Sequence, residues 1–353
     1  MNESLTLLPG FNPDAVRGVV LEPTDDMQVY AVPDRGLEVL DVLVGGRPVM
    51  YRNPAGHRSR LSYNPVGLGP VRSIEAFFTG GLENAGAPEG PLPLHGTFSQ
   101  TPACRWQRTA TGGVRGTIDC RIMVAGPCLV VERSVEPLHG ARAFRVIDDI
   151  RATVGGQYMW LYHPNFPVTE GTRFVSSERL VVPRPAATTE KAMDTYHTFD
   201  RVGAGQTRWP PSSDSAAAVA QENFETCYVM TVEPDDRGDV RAALVAPDGS
   251  SAAYVKYNVG HLRECQRAFQ FWKNPRDAVS GLEVGSTFLG WSYAASHGLL
   301  CSIATGETHH YEIEVGFLTS IAEVDALLAA MPKVGHPVIK TMSRDELAAC
   351  YRG

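Results

Sequence analysis

Apolar and polar residues alternate with a period of two along much of this chain. Near the N-terminus the alternation predicts short strands at 18–21, 27–31 and 37–44, and a turn at Gly45 and Gly46 ends the last one. Successive side chains of a strand point to opposite faces, so residues 37–44 are expected to form a half-buried strand. The pattern indicates β-structure from the start of the chain.

The clearest strand pattern lies between residues 104 and 154. Four alternating segments, at 106–110, 114–124, 128–135 and 143–150, are separated by turns that carry glycine or proline. Turn residues between alternating segments predict an antiparallel meander. Charged residues along it indicate that one face of this meander meets solvent, namely Arg121, Glu132, Arg133 and Arg145.

The rest of the chain completes an all-β pattern with a few short helices. Strand-like runs return at 227–232, 241–245, 252–257, 268–272 and 310–317. Helical periodicity is confined to 320–331 and 343–350, where a serine with a glutamate three residues later predicts each N-terminus. Residues 52–102 and 176–222 are irregular, which is typical of functional loops. Roughly fifteen strands predict one large antiparallel β-sandwich, a single domain over residues 1–353.

Charge and composition exclude several partners. The 353 residues carry 32 basic and 39 acidic side chains, a net charge of −7 without basic clusters. Nucleic acids and anionic membranes need a cationic face, so neither is an expected partner. The N-terminus lacks a signal-peptide pattern, and no run approaches the roughly 18 apolar residues of a membrane span. Seven cysteines without a C-x-x-C pair predict free thiols, and we expect a cytoplasmic protein.

The common nucleotide, hydrolase and zinc-protease motifs are absent from the sequence. It contains no phosphate-binding loop, dinucleotide fingerprint, nucleophile elbow or H-E-x-x-H pair. His309 and His310 are the one close histidine pair. Adjacent residues of a strand point to opposite faces, so this pair is a poor chelate. We therefore expect no metal and no cofactor.

Two histidines and a glutamate are the candidate chemistry. His163 lies in Leu-Tyr-His-Pro-Asn-Phe at 161–166, where an amide and aromatic rings flank it, as in polar recognition within an apolar pocket. His95 precedes a glycine, and Glu283 lies in an apolar strand, where a carboxylate should be paired or catalytic. A histidine before glycine is also common in plain turns. Together the three residues can move protons on and off a sugar hydroxyl.

Four motifs in chain order resemble one family. They are Phe-Phe-Thr-Gly-Gly-Leu-Glu-Asn-Ala-Gly-Ala-Pro at 77–88 with Leu-His-Gly at 94–96, Tyr-His-Pro-Asn-Phe at 162–166, Phe-Trp-Lys at 271–273, and Gly-Leu-Glu at 281–283. They resemble the aldose 1-epimerase (galactose mutarotase-like) superfamily, in particular its bacterial branch of aldose epimerase family proteins. The resemblance covers most of the chain. It implies a β-supersandwich and the opening of a sugar ring at the anomeric carbon.

The resemblance also implies residue roles. Glu283 would be the general base that removes the proton of the anomeric hydroxyl, and His163 would be the acid that protonates the ring oxygen. His95 would hold that oxygen or a neighbouring hydroxyl, and the reaction would need neither a metal nor a redox cofactor. The expected contacts to the sugar come from Tyr162, Trp272, Asn165, Asn84, Lys273, Glu225 and, for an anionic group, Arg72.

Departures from the family pattern leave the substrate open. Thr97 and Phe98 follow the first His-Gly where an arginine is often found, and Val284 follows the glutamate. Three alternatives therefore stand beside mutarotation of a free sugar: proton abstraction at another carbon of a keto-sugar, elimination, and carbohydrate binding without turnover. Glu225 and Arg72 fit surface positions without a function equally well, and Trp272 equally fits a position in the hydrophobic core. Sandwiches of this kind often dimerise, but no surface in the sequence identifies a homodimer interface.

Overall fold

The computed structural model describes residues 5–62, 75–86, 88–121, 127–184, 196–199, 202, 226–261, 268–287 and 290–352. The strands of these described residues are, in chain order, β1 (Thr6–Leu7), β2 (Arg17–Thr24), β3 (Met27–Val32), β4 (Glu38–Val44), β5 (Arg47–Pro48), β6 (Phe77–Leu82), β7 (Arg105–Arg108), β8 (Val114–Arg121), β9 (Cys128–Pro137), β10 (Ala143–Val154), β11 (Gly156–Pro167), β12 (Arg173–Ser176), β13 (Glu178–Pro183), β14 (Thr226–Val232), β15 (Asp239–Val245), β16 (Ala252–Asn258), β17 (Ala268–Asn274), β18 (Val279–Gly285), β19 (Cys301–Ile303), β20 (Thr308–Leu318) and β21 (Val338–Ile339).

The first five strands form an antiparallel meander in chain order. The three predicted N-terminal strands correspond to β2, β3 and β4, so their existence is confirmed. β4 is buried along its whole length, whereas its alternation predicted one exposed face. The reason is that its acidic residues find cationic partners inside the protein: Asp41 accepts from Arg52, and Glu38 accepts from Arg133.

An eight-stranded antiparallel sheet carries the predicted meander. Its order is β12-β15-β16-β20-β10-β9-β8-β7, and the last four strands are the four segments predicted between residues 104 and 154. The meander is therefore confirmed. Its buried positions contribute to the main core together with those of the other two sheets.

A second large sheet, which we call the site sheet, has the order β19-β11-β18-β17-β14-β13-β21, with β6 paired to β11. Its pairs are antiparallel except for β21 on β13. One face, with Tyr162 and Phe271, lies in the main core. On the other face, Leu161 and Val229 pack in a separate apolar cluster. We call this second face the site face, because the candidate residues lie on it.

Three α-helices lie in the described part of the chain: α1 (Trp291–Ser296), α2 (Ile321–Ala329) and α3 (Arg344–Arg352). The two predicted helices are α2 and α3. Ser320 caps α2, and Ser343 exchanges hydrogen bonds with Glu346 at the start of α3. Helix α1 was not predicted, because it is short and begins after Gly290 without a side-chain cap. Helix α3 packs against the site face in the same cluster as Leu161.

Arg133 departs most from the predicted solvated face, because its side chain is wholly buried. The guanidinium donates to both oxygens of Asp148, at 2.7 and 2.9 Å, to Glu38 Oε1 at 3.0 Å and to Thr79 Oγ1 at 2.7 Å. The Tyr162 hydroxyl donates to Asp148 Oδ2 at 2.6 Å. On β9 the alternate positions that include Arg133 face the core. We call these five residues the Arg133 cluster.

Glu38 should make folding stability pH-dependent. Burial raises the pKa of Glu38 to about 7, because desolvation of the carboxylate outweighs the attraction of Arg133. Its Oε2 has no hydrogen-bond partner among the described residues. A folded-state pKa above the unfolded one means that ionisation favours the unfolded chain. The free energy of unfolding should therefore fall as the pH rises from about 4.3 through about 7.

We expect Glu38→Gln to lose much of this decline, as measured by urea unfolding at pH 5 and pH 8. The exposed residue Glu170 offers the control Glu170→Gln, which should keep the wild-type profile. An unchanged decline in Glu38→Gln would show that this carboxyl group does not cause it.

Cys301 corrects the prediction of free thiols throughout the chain. Cys301 is itself disulfide-bonded. Cys104, Cys120, Cys128 and Cys350 are not disulfide-bonded. An odd number of cysteines without a spacing motif could not reveal this pair. Within the described residues, no helix is both long and apolar enough to span a membrane.

Candidate functional site

Three polar side chains form a row across the site face. The register of β11 against β18 places His163 opposite Glu283, and Glu283 pairs directly with Gln270 of β17. Side chains directly opposite one another on antiparallel strands have Cβ atoms about 5 Å apart. Strand pairing thus brings together residues that are far apart in sequence.

The row is in direct contact and shielded from water. His163 Nε2 lies 3.3 Å from Glu283 Oε1, and Gln270 Nε2 donates to Glu283 Oε2 at 2.9 Å. His163 is 4% exposed and Glu283 1% exposed. The structure therefore brings together the predicted acid and base. Gln270 was not predicted as a site residue, although it is a polar residue within an apolar strand.

His95 lies beside this pair in the turn after β6. Its backbone φ is 57°, and its carbonyl oxygen accepts from the Gly81 N–H at 2.9 Å. Its Nδ1 lies 3.0 Å from the carbonyl oxygen of Ala85, which can only accept, so Nδ1 carries the proton. In the neutral ring, Nε2 is then an acceptor for a hydroxyl group. The rings of His95 and His163 are 5.4 Å apart, edge to face.

Aromatic rings surround the two imidazoles. Phe78 stacks on His163 with ring centroids 4.4 Å apart, and it lies 5.2 Å from His95. Trp272 meets His163 edge to face at 5.8 Å. The contact between Phe78 and His163 was not predicted. Phe78 belongs to the motif at 77–88, but a motif does not specify which face of the sheet a side chain occupies. The site is thus a polar group of residues within apolar walls.

Burial keeps both imidazoles neutral. Desolvation, and secondly the neighbouring His95, lower the pKa of His163 well below its usual value. Desolvation, with a smaller contribution from the positive charge of Arg184, lowers the pKa of His95 to about 4. At neutral pH the 3.3 Å contact with Glu283 therefore involves an uncharged ring and is not an ion pair. The Nδ1 atom of His163 has no hydrogen-bond partner among the described residues.

Asn165 and Gly281 shape the space next to His163. Asn165 lies two residues further along β11, so it shares the site face, and its Nδ2 donates to the carbonyl oxygens of Glu75 and His163. Its Oδ1 has no partner in the described part of the chain and can accept from a ligand. Gly281 lies opposite Asn165. A Cβ at Gly281 would lie 2.8 Å from His163 Cε1 and 3.3 Å from Asn165 Oδ1.

Replacing Gly281 by alanine should therefore displace the His163 ring. A misplacement of about 1 Å can lower an enzymatic rate about 10²-fold, and we expect a loss of that order for the activity proposed below. Gly335 has open space around it, so Gly335→Ala is the control and should keep its rate. Rates and melting temperatures measured together separate displacement from unfolding. A folded Gly281→Ala variant with the wild-type rate would contradict this role.

Two predicted sugar contacts lie on the opposite face of the site sheet. Tyr162 donates to Asp148 within the Arg133 cluster. Lys273 donates to the carbonyl oxygen of Thr198, and its ammonium group lies 5.0 Å from the Phe199 ring. Tyr162 is the neighbour of His163 and Lys273 the neighbour of Trp272, and neighbouring side chains of a strand point to opposite faces. The structure therefore brings neither Tyr162 nor Lys273 to the site.

Asn84 forms hydrogen bonds within the loop that carries His95. Its Nδ2 donates to the carbonyl oxygens of Pro93 at 2.8 Å and Gly86 at 3.2 Å, and its Oδ1 accepts from the Gly86 N–H. These bonds hold the loop that carries His95, and a contact between Asn84 and the sugar stays a prediction. The predicted contacts Arg72 and Glu225 lie outside the described residues. Within the residues described, no group of three or more His, Cys, Asp or Glu could hold a metal ion.

Solved structures show the same fold. The chain is similar to a candidate aldose 1-epimerase from Klebsiella pneumoniae, with 17% identity, a TM-score of 0.77, and coverage of 96% of this chain and 89% of that one. A galactose mutarotase-like protein from Clostridium acetobutylicum shares 9% identity over 90% of this chain and 100% of that one, with a TM-score of 0.54. A candidate aldose 1-epimerase from Escherichia coli K12 shares 12% identity over 85% and 98%, with a TM-score of 0.51.

These identities establish a shared fold and not a shared activity. They confirm the predicted galactose mutarotase-like β-sandwich. A search of curated proteins finds no match. One family, described as a domain of unknown function, matches residues 14–317 of the chain. Since this match covers most of the sequence, the protein belongs to the DUF4432 family.

Proposed function

We propose that this protein is a cofactor-independent isomerase of the aldose 1-epimerase type. The observation that carries the proposal is the buried contact of 3.3 Å between His163 Nε2 and Glu283 Oε1, with a second imidazole beside it. Opening a cyclic hemiacetal requires one proton to leave the anomeric hydroxyl and one to reach the ring oxygen. An acid and a base next to one another, inside aromatic walls, suit that transfer.

In the proposed reaction Glu283 accepts the proton of the anomeric hydroxyl. The bond between the anomeric carbon and the ring oxygen breaks, its electron pair goes to the ring oxygen, and the anomeric carbon becomes a carbonyl. Because His163 is neutral in the resting site, it must first receive the proton that it donates. Glu283 is close enough to supply it, so the hydroxyl proton reaches the ring oxygen through both residues.

Rotation about the bond between C1 and C2 exposes the other face of the carbonyl. The ring oxygen then attacks that face, and the proton returns along the same two residues to give the other anomer. His95 Nε2 and Asn165 Oδ1 are acceptors on the same side of the sheet and would hold neighbouring hydroxyls. Each acid–base group contributes about 10²–10⁴-fold, which suffices for a reaction that proceeds slowly in water alone.

The test is to dissolve pure anomers of a panel of aldoses and ketoses in D₂O and follow them by NMR with and without protein. Faster interconversion of α and β forms, with every carbon-bound hydrogen retained, is the expected result. Deuterium at a carbon would instead identify an isomerase or epimerase acting elsewhere on a keto-sugar. Binding without acceleration of any sugar would identify a carbohydrate-binding protein.

A further inference from the structure

We propose that the substrate is an anionic sugar, whose carboxylate or phosphate group is bound by Arg184 at the far end of the site face. This inference rests on the proposed function, since it assumes that the row of His163 and Glu283 receives a sugar. It assigns a role to a residue that the sequence motifs do not contain.

The backbone places Arg184 in a row with candidate site residues. Its N–H donates to the carbonyl oxygen of Cys227 at 2.8 Å, which continues the ladder between β13 and β14. Cys227 pairs with Trp272, Trp272 pairs with Gly281, and Gly281 pairs with Asn165. Arg184 and Asn165 thus stand at opposite ends of one row across the site sheet.

Alternation along β13 places the Arg184 side chain on the site face. Val182 packs with Val229 and Leu161 in the cluster of that face, whereas Val181 lies in the main core. Side chains two residues apart on a strand share a face, so Arg184 shares the face of Val182. This is the face that carries His163 and its neighbours.

Arg184 is coupled electrostatically to one of the two histidines. Its positive charge opposes protonation of the His95 ring. β13 lies three strands from β18, which corresponds to about 14 Å at the usual strand spacing. The guanidinium and a bound sugar ring would together bridge this distance across the site face. A sugar ring bound at Glu283 would contact the guanidinium through a substituent remote from the anomeric carbon.

The chemistry of this site favours an anion at that position. Both imidazoles are neutral at physiological pH, whereas a guanidinium is always protonated. Its fork of five N–H donors matches a carboxylate or a phosphate in a two-bond geometry, and it can serve a protein neighbour and a ligand at the same time. Sugars with an acidic group and a free anomeric centre are the class that fits.

The test compares glucose, glucuronate and glucose 6-phosphate, and the three corresponding galactose compounds, by the rate of exchange between anomers. Wild-type protein should prefer one anionic sugar, and the preferred one tells a carboxylate from a phosphate. Arg184→Gln should lower kcat/KM for that sugar about 10- to 100-fold, the usual effect of a charged hydrogen bond, and leave its neutral counterpart nearly unchanged. Arg179→Gln is the control, because Arg179 lies on the same strand but is 62% exposed and pairs with Glu233.

Two results would overturn the inference, and they differ from a failure of the proposed function. If wild-type protein converts neutral and anionic sugars equally, or if Arg184→Gln keeps the anionic preference, the inference is wrong while mutarotation stands. If no sugar is converted, the proposed function fails, and binding decides the inference. Titration by NMR should then show tighter binding of an anionic sugar that Arg184→Gln abolishes, and equal affinity for neutral and anionic sugars would refute it.

Discussion

Replacing Glu283 by glutamine is expected to lower kcat for mutarotation by about 10²–10⁴-fold while the protein stays folded. Glutamine has nearly the same volume and can still bond to Gln270, but its amide cannot accept the hydroxyl proton. His163→Asn should have an effect of similar size, because the ring oxygen then receives no proton. Exchange NMR measures the rates, and circular dichroism and thermal unfolding measure the fold.

The two changes should not be additive. Glu283 and His163 pass the same proton in the proposed reaction, so the double variant should be about as slow as the slower single variant. Glu170→Gln, at an exposed carboxylate, is the matched control and should keep the wild-type rate. Wild-type rates in both Glu283→Gln and His163→Asn would show that the reaction takes place elsewhere.

Arg133→Met is expected to lower the free energy of unfolding by about 3–5 kcal/mol. The substitution leaves Asp148 and Glu38 buried without the cation that compensates them. Arg145→Met is the matched control on the same sheet, since Arg145 is 37% exposed and pairs with carboxylates at the surface. Its cost should stay below about 1 kcal/mol. Urea unfolding at pH 7 measures both.

The Arg133 cluster also supports the site from the core side. Thr79 of β6 pairs with Tyr162 of β11. Thr79 directly follows Phe78 in sequence, and Tyr162 directly precedes His163. Arg133→Met should therefore also slow any reaction at His163. If Arg133→Met is as stable as Arg145→Met, the Arg133 cluster is not important for folding stability.

The period-two pattern predicted much of the fold. Alternation and regular turns were sufficient for β7 to β10, because a meander depends on neighbouring segments only. The serine caps of α2 and α3 could also be predicted, because each depends only on residues that are close in sequence. Pairings between distant segments, such as β11 with β18, were beyond such reasoning, since nothing local specifies the partner strand.

The site was predicted as a set of residue types rather than as a face. Motifs named His163 with Tyr162, and Trp272 with Lys273, yet neighbours on a strand point to opposite sides. Strict use of that alternation would have separated each pair. Arg133 could not have been placed, because its burial depends on Asp148 and Glu38 from other strands. Gln270 became recognisable only when the register placed it against Glu283.

Mutarotation by Glu283 and His163 is tested most directly by two-dimensional exchange NMR at anomeric equilibrium in D₂O, with catalytic amounts of wild-type protein. We expect cross-peaks between the α and β H1 signals of at least one sugar, absent without protein and absent with Glu283→Gln. All carbon-bound hydrogens should be retained. If no sugar of the panel shows protein-dependent cross-peaks, or if Glu283→Gln gives them at the wild-type rate, the protein does not catalyse mutarotation through Glu283.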